Sequence, residues 1–151
     1  MPEATTTLIP YLTCKNAEEA LEFWKKAFGA EIGAVSRMPH GPILNAQFTI
    51  DGVLFYVNDE MPEHGAVGPQ TLGGNPTTFY FRVADCDAYF HRAVEAGCQV
   101  RMPLEDMFWG DRYCLVADPY GYLWTFATKI RDVSEEEIQK ALTSSDGPGC
   151  Q

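Results

Sequence analysis

Tyr11-Leu12-Thr13-Cys14-Lys15-Asn16, leading to Phe28-Gly29-Ala30-Glu31-Ile32, is echoed by Phe79-Tyr80-Phe81-Arg82-Val83-Ala84, leading to Ala96-Gly97-Cys98-Gln99-Val100. Gly29 falls on Gly97, a shift of 97 − 29 = 68 positions, which also lays Ala20 on Ala88 and Ile32 on Val100. Strand, helix and C-capping glycine recur in one order. The chain therefore reads as two copies of a βαβ-type unit, each poorly able to bury its apolar face alone, and a binding site is expected between them.

Working outward, Leu8 to Cys14 alternates as a strand, and Asn16-Ala17-Glu18-Glu19 supplies an N-cap with Glu three residues on. Ala20, Leu21, Trp24, Ala27 and Phe28 give the following helix one apolar stripe, closed by Gly29. Strands are predicted over 31–37, 43–50 and 53–58, the last two joined by a tight Asp51-Gly52 turn. The second copy predicts a strand over 77–84, a helix from an Asp85 cap to Ala96, a strand over 99–103, and two strands around Asp118-Pro119-Tyr120-Gly121. This gives one domain over 1–142, with modules at 5–58 and 77–130 and a C-terminal helix at 134–142. The stretch 59–76, rich in proline and glycine, reads as a linker, and 143–151 as a flexible tail.

Composition narrows the function classes. A formal net charge of −10 opposes nucleic acid and anionic membrane, whose affinity comes from Lys and Arg at phosphates, and favours a neutral or cationic ligand. The 46% hydrophobic content suffices for a buried core in 151 residues. Five cysteines, an odd number without Cys-x-x-Cys spacing, read as free thiols in a reducing cytosol. No leader segment and no apolar run of ~18 residues is present, so a soluble cytoplasmic protein is expected.

Alternation along the strands sends Leu8, Leu12, Val53, Phe55, Val57, Phe79, Phe81, Val83, Trp124 and Phe126 toward the helices. The opposite face collects tyrosines, amides and hydroxyls, which supply aromatic area and a few orienting polar groups for a ligand. A half-solvated sheet face would tolerate the same residues. The candidate ligand contacts are Tyr11, Asn45, Gln47, Tyr56, Tyr80, Arg82, Trp109 and Arg112. Within Trp109-Gly110-Asp111-Arg112 the indole can cover a ligand or plug the barrel end, and Arg112 can reach a ligand or brace a loop. Asp118-Pro119-Tyr120-Gly121 reads as architectural.

The paired βαβββ plan, Asn16-Ala17-Glu18-Glu19-Ala20-Leu21-Glu22-Phe23-Trp24 before Phe28-Gly29-Ala30, and Phe108-Trp109-Gly110-Asp111-Arg112 before Asp118-Pro119-Tyr120-Gly121 resemble the vicinal oxygen chelate superfamily. That superfamily includes glyoxalase I, extradiol dioxygenases and the fosfomycin- and bleomycin-resistance proteins; within it the PhnB-like branch is most similar. The resemblance implies an α+β fold in which two βαβββ modules form a curved mixed-sheet cup, and a homodimer that covers strand edges. It also implies metal-ligand positions at about Ile9, Tyr56, Thr78 and Thr125, none a good donor, and Asn45 stands where many PhnB-like relatives carry His. No Gly-x-Ser-x-Gly or phosphate-binding loop occurs. The sequence thus points to small-molecule binding without metal or other cofactor. The alternatives are a divalent-metal-dependent lyase, isomerase or dioxygenase, and an interaction module with an idle cup.

Overall fold

The computed structural model describes residues 5–144. Asn16 accepts a hydrogen bond from the Glu19 amide (3.1 Å) and opens helix α1 (Ala17–Phe28); Asp85 does the same for α3 (Cys86–Ala96) through the Ala88 amide (3.2 Å). Gly29 and Gly97 end these helices at φ 71° and 119°, where a side chain would be strained. The two N-caps are 85 − 16 = 69 residues apart, whereas the C-caps are 97 − 29 = 68 apart. Helix α3 is one residue shorter than α1, so the repeat shift holds at the C-caps and slips by one at the N-caps and at the first strand of each module, where Tyr80 corresponds to Tyr11.

Each helix crosses over to a mixed four-stranded sheet. In the first, β1 (Tyr11–Cys14) runs parallel to β4 (Val53–Asp59), which is antiparallel to β3 (Ile43–Ile50), with β2 (Glu31–Arg37) outermost. In the second, β5 (Thr78–Arg82), β8 (Leu123–Lys129), β7 (Asp111–Ala117) and β6 (Gln99–Asp106) take the same places. This is the α+β arrangement of two βαβββ modules read from the sequence.

Strand β5 is shorter than the expected 77–84, and three further departures have physical reasons. Strand β1 begins at Tyr11 because Pro10 has no amide hydrogen for the ladder; Leu8, expected against the helices, is 90% exposed, and Val53 is also exposed. Strand β6 passes through Pro103 to Asp106, since it is an edge strand and the proline falls at a register shift between Met102 and Glu105. The segment 59–76 is built rather than open: it holds a 3-10 turn (Pro62–His64) and a short helix α2 (Pro69–Leu72). Asp59 there accepts from the amides of Ala17 (2.7 Å) and Ile43 (2.6 Å), fixing the starts of α1 and β3. Helix α4 (Glu135–Thr143) is capped by Ser134; most of the expected flexible tail, 145–151, and Cys150 lie outside the described residues.

The helix-side faces of the two sheets meet directly. Phe55 of β4 lies 5.5 Å from Phe79, 6.0 Å from Phe81 and 5.6 Å from Trp124, with Phe28 and Trp24 of α1 packed alongside. Within this aromatic core sits Asp118. Its Oδ2 accepts from the indoles of Trp24 and Trp124, both at 2.9 Å, and its Oδ1 from the amides of Tyr120 and Tyr122, also at 2.9 Å. Burial pushes this carboxyl above the usual range while the four donors pull it down. Cys14, Cys86, Cys98 and Cys114 are buried free thiols, and burial raises Cys98 to about 12 and Cys114 to about 11. No helix among the described residues is long and apolar enough to cross a membrane.

An Asp118→Asn change turns an amide NH₂ toward one of the two pairs of donors and leaves both without an acceptor. The expected loss is about 3 kcal/mol of unfolding free energy, read from denaturant midpoints. A loss below about 1 kcal/mol would show that Asp118 does not tie the modules together.

Candidate ligand-binding site

Because the helix-side faces of the sheets pack together, the opposite faces point away from the shared core. The eight expected contact residues therefore do not surround one space within a single chain. Tyr11, Asn45, Gln47 and Tyr56 lie on the outer face of the first sheet, and Tyr80, Arg82 and Trp109 on that of the second. Arg112 belongs to neither.

On the first sheet, Tyr11 is opposite Tyr56, which is opposite Gln47, and the two tyrosine rings meet edge to face at 5.5 Å. Tyr11 donates to the Leu44 carbonyl at 3.1 Å, fixing its ring over the row. One step along, Thr13 donates to the buried Asn58 (2.7 Å). Tyr11, Thr13, Leu44, Asn58, Met61 and Ala66 border a hollow of about 480 Å³. Gln47 lies at a separate, smaller hollow of about 170 Å³ beside β2.

On the second sheet the organising residue is Asp111, which is 2% exposed although it faces outward. It accepts from the Tyr80 hydroxyl (2.9 Å), the Trp109 indole (3.2 Å) and Nη2 of Arg82 (3.1 Å). Burial and the Asp111 carboxylate raise the Tyr80 pKa, so at neutral pH this phenol is a donor and not a base. Tyr113 fills the middle of the face, 6.0 Å from Tyr80 and 5.7 Å from Trp109, and accepts from Thr125 at 3.4 Å. Trp109 is held by Gly110, where an added Cβ would lie 2.5 Å from the Arg131 carbonyl and 2.9 Å from Val133. Only a glycine allows the chain after β8 to pass so close. Trp109 is half-buried and stands outside the core cluster, so it does not plug the barrel end.

Arg112 departs from the expectation because alternation along β7 sends it to the helix side. There it pairs with Asp87 on α3 (2.7 Å) and with Asp106 on β6 (3.0 Å). It braces a helix, while its neighbours Asp111 and Tyr113 face outward. Asp111, Tyr113, Thr13 and Asn58 were missed as site residues. Alternation from Tyr11 and Tyr56 could have found Thr13 and Asn58, whereas Asp111 and Tyr113 come to light only once β7 is paired with β8.

The metal positions that the fold implies hold no free donor set. Tyr56 packs on Tyr11, Thr125 bonds to Tyr113, and the nearby carboxylate, Asp111, is committed to three donors. Among the described residues no three of His, Cys, Asp and Glu come together as a metal site. These residues do not fit a divalent ion.

A family model described as the Glyoxalase/Bleomycin resistance protein/Dioxygenase superfamily matches residues 6–126. The chain belongs to that superfamily. An uncharacterized protein of Mycobacterium bovis (strain ATCC BAA-935 / AF2122/97) is 42% identical over 146 residues, covering 94% of this chain and 95% of the relative. One from Mycobacterium tuberculosis (strain ATCC 25618 / H37Rv) is equally similar, with 94% and 85% covered. Among solved structures, TioX from Micromonospora sp. ML1 matches with TM-score 0.65 and 25% identity, over 83% of this chain and 100% of that one. A PhnB protein from Bacillus cereus matches with TM-score 0.62 and 20% identity, over 82% and 99%. The fosfomycin resistance protein FosX from Listeria monocytogenes gives 0.63 and 16%, over 89% and 98%. These structural likenesses support the superfamily fold.

Two measurements follow from this geometry. Trp109→Ala should cost about 1–2 kcal/mol of stability, mostly its bond to Asp111, against about 3–5 kcal/mol for Trp124→Ala in the core; equal losses in denaturant melts would place Trp109 in the scaffold. Arg112 holds Asp87 below its ordinary pKa. A lowered carboxylate pKa stabilises the fold above the unfolded value and loses that effect as pH falls through the folded value. The midpoint difference between wild type and Arg112→Gln should therefore be full above pH about 4 and shrink below it.

Proposed function

We propose that the chain is a cytoplasmic small-molecule-binding protein of the PhnB-like branch that holds a flat aromatic ligand without a metal. The observation that carries this reading is the pair of outward faces, each with a tyrosine row beside a satisfied polar pair. Aromatic rings supply most of the burial a small ligand needs, and fixed hydrogen-bonding groups orient it. Neither face alone encloses a ligand.

A homodimer removes that difficulty. The face with Tyr11, Asn45, Gln47 and Tyr56 of one protomer would close on the face with Tyr80, Arg82 and Trp109 of the other, giving two equivalent cups by C2 symmetry. Tyr11, Ile32, Val35, Leu44 and Tyr80 are exposed on and around these faces, and all seven residues of β2 are exposed at a sheet edge. Covering them supports the pairing.

Light scattering at micromolar concentration should give a dimer mass, and a strict monomer would remove the closed cup. A thermal-shift screen of aromatic compounds should raise the melting temperature for at least one hit, and Tyr11→Ala and Trp109→Ala should each weaken that hit about tenfold or more. Stoichiometric Zn, Mn, Fe or Ni that survives dialysis would favour a metal-dependent enzyme instead.

A further inference from the structure

The guanidinium of Arg82 is only partly used. Its bonds to Asp111 both come from Nη2, at 3.1 and 3.3 Å, and no other acceptor among the described residues takes its Nε or Nη1 hydrogens. The side chain is 61% exposed while that of Asp111 is 2% exposed. A buried carboxylate thus fixes one corner of a planar group whose remaining N–H donors are free. The end of the fork, Nη1 together with the second hydrogen of Nη2, matches two coplanar oxygens of a carboxylate. Tyr80 borders it, and the Tyr113 and Trp109 rings continue as an aromatic wall.

The chain's net charge of −10 argues for a neutral or cationic ligand. At the site the nearest groups decide, because charges beyond about 8 Å are largely screened at physiological ionic strength. Asp111 is enclosed by three donors and offers no free edge to a cation. Glu105 faces outward opposite Tyr113, but on β6, three strands from β5 and so about 14 Å from Arg82. At the Tyr80 end of the rings the exposed charge is the guanidinium, with Glu105 beside Tyr113 at the other end and Lys129, paired with Asp132, opposite Asp111.

We infer that this half of the cup recognises the carboxylate of a planar aromatic acid, with Arg82 as the specificity-determining residue and Asp111 as the positioning residue that sets its plane. The inference rests on the reading of the outward faces as a ligand cup. It makes the polar end of the ligand anionic and places its ring on Tyr80, Tyr113 and Trp109.

Three probes of one shape test it: 2-naphthoate, 2-naphthamide and 2-naphthylmethylammonium, titrated into the full chain by calorimetry. Quenching of indole fluorescence reports on Trp109, since Trp24 and Trp124 are fully buried. Naphthoate should bind at least about tenfold more tightly than the amide or the ammonium. In Arg82→Gln, with folding checked by circular dichroism, naphthoate should weaken at least about tenfold and the preference collapse. Asp111→Asn should lower the preference as well, because the guanidinium loses its fixed plane. Amide or ammonium binding as tight as naphthoate overturns the inference and leaves the cup reading in place; so does a preference that persists in Arg82→Gln. If none of the three binds at millimolar concentration, the cup reading and the inference fail together.

Discussion

The structure depends on a buried carboxylate that belongs to no ion pair. Asp118 is reached by the indole of Trp24 from the first module and that of Trp124 from the second, with two amides of its own turn completing four donors. A desolvated carboxylate is costly unless its lone pairs are filled, and these donors fill them. Both indoles must therefore converge on one atom, Oδ2. That requirement fixes the rotation of the modules about each other more tightly than the surrounding phenylalanines, which tolerate sliding, could do alone.

Once the helix-side faces are locked together in this way, the orientation of the other faces follows. A sheet has two sides, and the core consumes one from each module. Tyr122 strengthens the same arrangement at the seam, accepting from the Thr13 amide (2.9 Å) and donating to the Thr13 carbonyl (3.0 Å), so that a phenol takes the place of a neighbouring strand on β1. Gly68 packs its backbone against the same carbonyl, where a side chain could not fit. The edge of β1 is thereby closed to strand addition, whereas the outer edge of β2 has no neighbouring strand.

The repeat at Gly29 and Gly97, the two N-caps and the alternation of β3, β4, β7 and β8 were legible because each rests on local chemistry: a side chain bonding to an amide three residues on, or a period of two. The core was largely legible for the same reason, with Leu8 and Val53 misplaced where a strand stopped short or a turn began. The site was legible only in part. Tyr80 and Arg82 are picked out by polarity on an apolar strand, but Arg112 draws attention by the same criterion and faces the other way. Its side cannot be set until β7 has a register, which comes from pairing with β8, where Arg112 stands opposite Thr128, 128 − 112 = 16 residues on. Asp111 was obscured by the strength of the motif around it, since Trp109-Gly110-Asp111-Arg112 reads as one group while its side chains divide between two faces.

The two outer faces also show how duplication was followed by divergence. In each module the first strand contributes a tyrosine, Tyr11 or Tyr80, and two residues on the same face a polar group, Thr13 or Arg82. The first of these finds Asn58, a neutral partner, and the second finds Asp111, a charged one. A neutral amide pair in a half-buried place can accept or donate but attracts no ion, while a guanidinium anchored at one corner attracts an anion over several ångströms. Two halves that differ in this way do not suit a ligand with identical ends. If they close on each other across a two-fold axis, each cup receives one half of each kind, and a bound molecule has a single preferred direction: its charged end toward Arg82 and its uncharged end toward Thr13 and Asn58. The asymmetry within one chain would then supply the polarity that the symmetry of the dimer cannot.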